Sequence, residues 1–392
     1  MKSKFLTKTI IILSAISFFT DVASEMLYPI IPIYLKSVGF SIALIGLLEG
    51  VAESLAGLSK GFFGAWSDKI GRRVPFIRFG YALSSISKPL MGLFPFPFLI
   101  FIFRTFDRLG KGIRTSARDA LLSDESTNEH KGKVFGFHRS LDTFGAVVGP
   151  LITLLLISFF IKDYRFLFIL SAIPGLVVIA LCFLLKEKKS YVSNSTKKYN
   201  INFFVFWNYL VNSSSNYKKV VIPLLLFSLF NSSDFFLLLK LKEYGFTDHN
   251  VILFYILFNL SYSIFSYPIG KLADKFGLHK LLAFGLFIFS FVYFSVNISG
   301  HTYWLLVTFF IYGLFNASTE GVSKALITNL VSKEETATAL GSYNSFASIT
   351  TLLASSMTGL IWNFFGSTVA LCLSGAVGII IFIYFAFLFK LK

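Results

Sequence analysis

The stretch RTFDRLGKGIRTSARD, residues 104 to 119, places ionisable side chains where an apolar sequence should not hold them. It follows FPFPFLIFIF directly, so its first part falls inside a run of membrane-crossing character. On a helix Arg104, Asp107, Arg108, Lys111, Thr115 and Arg118 recur at spacings of three and four and form one polar stripe. Ionisable groups at the bilayer centre cost at least about 2.5–3.5 kcal/mol each and almost always face a bundle interior or a water-filled pathway. The chemistry on offer is ionic: capture of a polar or charged solute, or movement of a proton between neighbouring acids and bases.

The elements that must position this stripe are membrane helices. Of 392 residues, 55% are hydrophobic, 49 are Phe and only 14% are charged, which excludes an ordinary soluble protein. Apolar runs fall near residues 8 to 34, 42 to 66, 75 to 94, 97 to 121, 133 to 160, 165 to 185, 220 to 241, 250 to 272, 279 to 298, 302 to 325, 336 to 362 and 367 to 389. Each is near the roughly 20 residues that a spanning helix needs. The expectation is an all-α polytopic membrane protein of twelve spans, with the charged stripe in the fourth.

The net charge of +16 is not a nucleic-acid signature here, because Lys and Arg sit mostly in alternate loops, as membrane topology requires. Lys2, Lys4, Lys8, the DKIGRR loop, Lys131, Lys133, Lys271, Lys275, Lys280, Lys333, Lys390 and Lys392 would share one side, expected to be cytoplasmic together with both termini. Asp21 and Glu25 interrupt the first run, so it is expected to stay as a span and not to be removed as a signal peptide. Cys182 and Cys372 fall within spans and the histidines form no ligand pattern, so no disulfide framework and no metal site is expected.

An internal repeat organises the chain. YLKSVGFS from Tyr34 returns as KLKEYGFT from Lys240, and GAWSDKIG from Gly64 returns as GKLADKFG from Gly270. RDALL from Arg118 matches SKALI from Ser323, and Gly136 in FGFHRS matches Gly341 in LGSYNS. Two parallel halves of six spans follow, residues 1–185 and 220–392, joined by a cytoplasmic linker, residues 186–219. The linker carries an aromatic patch, FFVFW, that suits a short interfacial helix between basic flanks.

Through the repeat Glu25 corresponds to Asn231, Glu53 to Asn259, Lys60 to Ser266, Lys111 to Asn316 and Arg139 to Asn344, so the ionic chemistry is concentrated in the first half. Candidates for substrate binding or proton coupling there are Asp21 and Glu25 in span one, Glu49 and Glu53 in span two, and Arg104, Asp107, Arg108 and Lys111 in span four. In the second half they are Asn231, Asp234, Asn316 and Glu320, the two acids being candidate proton carriers. Lys88 in span three adds to the first-half charges, and Arg139 and Asp142 are expected to belong to a structural ion-pair network that joins helices.

Gly64-x-x-x-Asp68-Lys69-x-Gly71-Arg72-Arg73, between spans two and three, resembles the signature loop of the major facilitator superfamily (MFS). It recurs in weaker form as Gly270-x-x-x-Asp274-Lys275-x-Gly277. The resemblance covers essentially the whole chain and implies the MFS fold: two six-helix bundles related by a pseudo-twofold axis along the membrane normal, alternating about a midplane site. It also implies that the loop latches the cytoplasmic side. Asp68 would sit at the positive end of a helix from the other half, and Arg72 would pair with an acid near the end of span four, with Asp119 the first choice. The second copy has Leu278 and His279 in place of Arg72 and Arg73, which implies a weaker latch. Gly145-x-x-x-Gly149-Pro150 in span five is similar to an element that this family associates with exchangers and exporters; its small residues permit close helix packing.

These features lead to the expectation of a secondary transporter, not an enzyme, exporting an organic or amphipathic solute by proton-coupled alternating access. No Gly-x-x-x-x-Gly-Lys-Ser/Thr phosphate loop is present, and no cofactor beyond a proton or ion gradient is expected. The expected partners are a small-molecule substrate and the lipid bilayer, without nucleic acid, in a monomer of the plasma membrane of a prokaryote. The rival expectations are uptake or exchange of a small anion clamped by the span-four cations, and a non-transporting sensor or scaffold that keeps the fold.

Overall fold

The computed structural model describes residues 6–28, 30–40, 42–159, 163–187, 204–231 and 234–388. Lys2, Lys4, Lys390, Lys392 and the middle of the linker lie outside the described residues. Among the described residues every regular element is a helix. The first half contains α1 (Lys8–Glu25), α2 (Ile31–Ser37), α3 (Ile42–Ile70), α4 (Val74–Leu93), α5 (Pro97–Asp124), α6 (Lys131–Phe159), α7 (Tyr164–Leu170) and α8 (Ala172–Phe183). The short α9 (Val205–Asn212) belongs to the linker. The second half contains α10 (Ser215–Phe230), α11 (Asp234–Glu243), α12 (Asp248–Phe276), α13 (Leu278–Ser295), α14 (Thr302–Asn329), α15 (Thr336–Phe365) and α16 (Ser367–Leu388).

Two of the expected spans are broken at equivalent points of the repeat. Span one divides between Glu25 and Ile31 and span seven between Phe230 and Asp234. In the first copy the sequence MLYPIIP supplies the cause: proline has no N–H to donate and is tolerated only in a first turn, where Pro32 stands. Span six is likewise two helices, meeting at Ser171, whose hydroxyl donates to Phe168 O at 2.6 Å. Among the described residues seven helical segments are long and apolar enough to cross a membrane. The charge-bearing α1, α3, α4 and α5 are not among them.

By packing, the chain forms two compact units: Met1–Glu125, Leu141–Asn212 and Val331–Phe346 make one, and Ser126–Ser140, Ser213–Leu330 and Ala347–Lys392 the other. This division interleaves the sequence halves where a cut between residues 185 and 220 would keep them apart. The start of α15 packs with first-half helices, and the start of α6 with second-half helices.

Within the first unit α5 packs on α3 and α4, and α8 on α1 and α4. The second unit repeats the pattern: α14 packs on α12 and α13, and α16 on α10 and α13. The α4–α5 crossing depends on two glycines, since a Cβ on Gly80 would lie 2.6 Å from the Gly110 carbonyl oxygen, and one on Gly110 2.6 Å from that of Gly80. Gly145 and Gly149 of α6 play the same part against α1: a Cβ on Gly149 would lie 2.7 Å from Met26 N, and one on Gly145 2.9 Å from Asp21 Cβ. The helix continues through Pro150, and Thr153 donates its hydroxyl to Met26 O. The Gly-x-x-x-Gly spacing therefore does what small residues allow in membranes, which is to bring two backbones together.

Candidate functional site

The α4–α5 glycine contact carries Ser84 and Lys88 of α4 to the charged face of α5. Arg104 is buried, and its Nε and Nη2 donate to Glu49 Oε1 and Oε2 at 2.7 and 2.9 Å, a two-point clamp on a carboxylate of α3. Its Nη1 reaches Asp107 Oδ2 at 3.3 Å. Asp107 also accepts from Lys88 Nζ at 2.7 Å and Ser84 Oγ at 2.5 Å. One turn on, Arg108 Nε lies 3.1 Å from Glu53 Oε1, and its Nη2 3.9 Å from Glu49 Oε2. The acids and bases form one connected ladder across three helices, graded from the buried Arg104–Asp107 end to Glu53, whose side chain is 53% exposed. Lys111 is exposed beyond it.

Of the four first-half acids named from sequence, Glu49 and Glu53 meet the α5 arginines directly. Asp21 and Glu25 lie half-buried on α1 beside the Gly145 and Gly149 stripe of α6, with Glu25 close enough to act electrostatically on Arg108. Lys88 neutralises Asp107, a role the sequence did not assign. The last turns of α5 form a second buried group. Arg118 Nε donates to Asp119 Oδ1 at 2.9 Å and its Nη1 to Ser17 Oγ at 3.2 Å, while Ser17 donates to Asp142. Arg114, missed from sequence, is 6% exposed, lies over the Tyr81 ring with its guanidinium carbon 4.3 Å from the centroid, and has Nε and Nη1 without a hydrogen-bond partner among the described residues.

At the end of α3, Asp68 takes up the first turn of α15. Its carboxylate accepts from Ala337 N at 3.4 Å, Thr338 N at 2.6 Å and Thr338 Oγ1 at 2.6 Å, a helix N-terminus from the other half of the sequence. Arg73 Nη1 also bonds Asp68, and the same guanidinium reaches Asp124 Oδ2 at 3.5 Å and Lys333 O at 3.2 Å. Glu187, just past α8, accepts from Arg73 N and Val74 N at 3.1 and 2.9 Å and so holds the start of α4. Burial pushes the Asp124 carboxyl up to about 6, against the opposing pull of Arg73.

The expected Arg72–Asp119 pair is therefore corrected: Arg73 with Asp68 and Asp124 takes its place. Gly71 ends α3 at φ 68°, a left-handed turn that glycine adopts at no steric cost. This turn leaves Arg72 exposed and sends Arg73 inward. Asp119 lies five residues before Asp124, on the part of α5 that faces α1, and is taken by Arg118. Gly64, one turn before Asp68, leaves room for the Ala337 carbonyl, and Gly61 N donates to Ser345 Oγ at 2.9 Å.

The second unit holds the weaker copy. Asp274 accepts from Gly132 N and Lys133 N at 2.8 and 2.9 Å, the first turn of α6, and a side chain on Gly270 would collide with the Gly132 carbonyl. Gly277 repeats the positive φ, at 103°. His279 stands where Arg73 stands in the first copy, so the guanidinium is missing from this copy. Lys131 Nζ instead donates to Thr328 O at 2.7 Å.

Also in the second unit, Arg139 bonds Glu320 and the Tyr262 hydroxyl, which itself donates to Glu320 Oε2 at 2.7 Å. Arg139 thus meets Glu320 on another helix, and Asp142 accepts from Ser17. Asp234 accepts from Tyr312 OH at 2.5 Å. Asn231 caps α10, with its side-chain oxygen unbonded among the described residues, and Asn316 is half-buried on α14. The two tyrosines, like Thr338 and Asp124, escaped the sequence reading because nothing in their spacing marks them out from core residues.

The family model of the Major Facilitator Superfamily matches residues 13–261 and 235–392. An MFS-type transporter of Methanocaldococcus jannaschii is 33% identical over 366 residues, covering 91% of this chain and 89% of the relative. Multidrug resistance protein 2 of Bacillus subtilis is 23% identical over 363 residues, covering 90% and 88%. Among solved structures, the human organic anion transporter MFSD10 superposes with a TM-score of 0.82 at 14% identity, over 96% of this chain and 98% of that one.

Proposed function

The chain belongs to the Major Facilitator Superfamily, a family of multi-pass membrane transporters and not of enzymes, and from that premise we propose that it exports a small organic or amphipathic solute in exchange for protons. The observation that carries this reading is the graded ladder on α3, α4 and α5. Its buried end, Lys88–Asp107–Arg104–Glu49, is compensated charge that stays fixed. Its open end places the 53% exposed Glu53 at 3.1 Å from Arg108. A carboxylate in that position faces water or solute and not acyl chains, whose contact it cannot tolerate. It can exchange its proton with a solute that competes for the same ground. The name of the Bacillus subtilis relative accords with efflux. The loop charge asymmetry supports cytoplasmic termini in a prokaryotic plasma membrane.

One observation favours the anion reading. Beyond the ladder, α5 carries Lys111 exposed and Arg114 buried with two nitrogens unbonded among the described residues, a positive surplus that a carboxylate or phosphate would answer. Proteoliposomes with an imposed pH gradient separate the two. Uptake of cationic or neutral amphiphiles that dissipates the gradient and loses its pH dependence in Glu53→Gln supports proton exchange. Flux confined to anions, and indifferent to Glu53→Gln, replaces it with the anion reading. No flux of any compound, with no thermal shift, overturns transport itself.

A further inference from the structure

An open groove of about 500 Å³ runs along the second unit between the start of α13 and the end of α16. His279 and Lys280 stand at its head, and Phe284, Phe287, Phe382 and Phe385 form its body; among the described residues no acid lines it. The aromatic walls are not closed over one another. Phe284 and Phe287 are 47% and 50% exposed, although the Phe287 and Phe382 rings meet at a tilt with centroids 5.6 Å apart. Lys280 is exposed at the first turn of α13, a helix whose N-terminus has no side-chain cap. With 1.5 Å of rise per residue, Phe287 lies about 10 Å further along α13 than Lys280. The charge is thus at the level of the helix end and the aromatic trough one acyl segment deeper.

We propose that this groove binds an anionic phospholipid, with its phosphate held by Lys280, His279 and the positive N-terminal end of α13, and its acyl chain laid along Phe284, Phe287 and Phe382. The argument is complementarity at both ends. A phosphodiester meets a cation and the positive end of a helix. An alkyl chain meets aromatic faces that the protein leaves unpacked, on a chain whose surroundings are lipid. A neutral solute has no use for the lysine, and a free inorganic anion has no use for the trough. The site shares no residue with the charged ladder and does not depend on which solute is carried.

Native mass spectrometry of the full delipidated chain in detergent tests it, using phosphatidylglycerol, phosphatidylcholine of the same acyl chains and inorganic phosphate as probes. One basic residue at a membrane surface is worth about 1 kcal/mol, so phosphatidylglycerol should bind about fivefold more tightly than phosphatidylcholine. That preference should vanish in Lys280→Gln and persist in Lys36→Gln, a control at another exposed lysine. Phe287→Ala should weaken both lipids alike. Equal binding of the two lipids, or a preference that survives Lys280→Gln, overturns the site. Competition by inorganic phosphate alone overturns the lipid and leaves an anion site. Lys280 is exposed and Phe287 is 50% exposed, so loss of fold is not the expected consequence of either change.

Discussion

Replacing Asp68 by Asn tests whether the first turn of α15 is held by charge. The carboxylate is 7% exposed and accepts two bonds at 2.6 Å from Thr338 as well as the guanidinium of Arg73. Asn keeps one acceptor oxygen but removes the charge, so hydrogen bonds worth about 1.5–3 kcal/mol each to an ionised group fall to ordinary ones. The interaction with the helix N-terminus, up to about 2 kcal/mol when partly buried, is lost as well. Some of this is recovered because Arg73 retains Asp124. A net loss of about 2–3 kcal/mol shifts the docked-to-undocked ratio of α15 about 30- to 150-fold. Ser345 reports on the ratio: it is wholly buried and bonds Gly61 N and Gly57 O of α3. With Cys182 and Cys372 replaced, a Ser345→Cys thiol should react with a membrane-permeant maleimide at least about tenfold faster in Asp68→Asn than with Asp68 intact. Equal rates, in a variant whose thermal unfolding matches its parent, would refute the electrostatic latch and leave the loop a topological signal only.

Three further outcomes are expected. Asp274→Asn should free the start of α6 less than Asp68→Asn frees α15, about fivefold as read by a thiol at Ser263, since two backbone bonds and no arginine hold it; an effect as large as that of Asp68→Asn contradicts the ranking. Asp124 has a folded-state value raised to about 6, so its favourable contribution is complete below the unfolded value near 3.9 and is lost as pH rises through 6. Asp124→Asn should therefore match wild type in thermal stability at pH 4 and exceed it at pH 7 by on the order of 3 kcal/mol, and a difference that does not grow between pH 4 and 7 rules this out. Arg104→Ala removes the two-point clamp on Glu49 and leaves Asp107 to Lys88 and Ser84, and should cost about 3–5 kcal/mol of stability, whereas Arg108→Ala should stay folded and alter the pH dependence of flux. The opposite assignment of the two phenotypes would place the functional charge at the buried end of the ladder.

The fold was legible because it is written twice. Two copies of one loop, matched in position within two runs of six apolar segments, constrain topology far more than any single span does, and even the breaks after Glu25 and Phe230 obey the repeat. The spacing of Arg104, Asp107 and Arg108 likewise announced a charged face, because three- and four-residue periodicity is a property of one helix. Partner choice is not such a property. Whether Arg72 or Arg73 turns inward is decided by a single left-handed residue, Gly71, and whether α5 offers Asp119 or Asp124 is decided by which neighbour each turn faces. Lys88 reaches Asp107 only because Gly80 and Gly110 let two backbones touch, a contact between residues 30 apart in sequence that no pattern within either helix encodes.

The interleaved packing follows from the same principle. A buried carboxylate at the end of α3 must be answered, and the local sequence supplies Arg73 but no further donors of comparable strength. The first turn of a helix has unbonded N–H groups in need of an acceptor. Asp68 with α15, and Asp274 with α6, satisfy both requirements at once. Each such bond requires that the start of one half's helix be packed with the other half's acid, so the exchange of residues 126–140 and 331–346 between the units is the structural consequence of two aspartates and two helix ends completing each other. Removing either aspartate's charge leaves the first-turn N–H groups of that helix to find water instead.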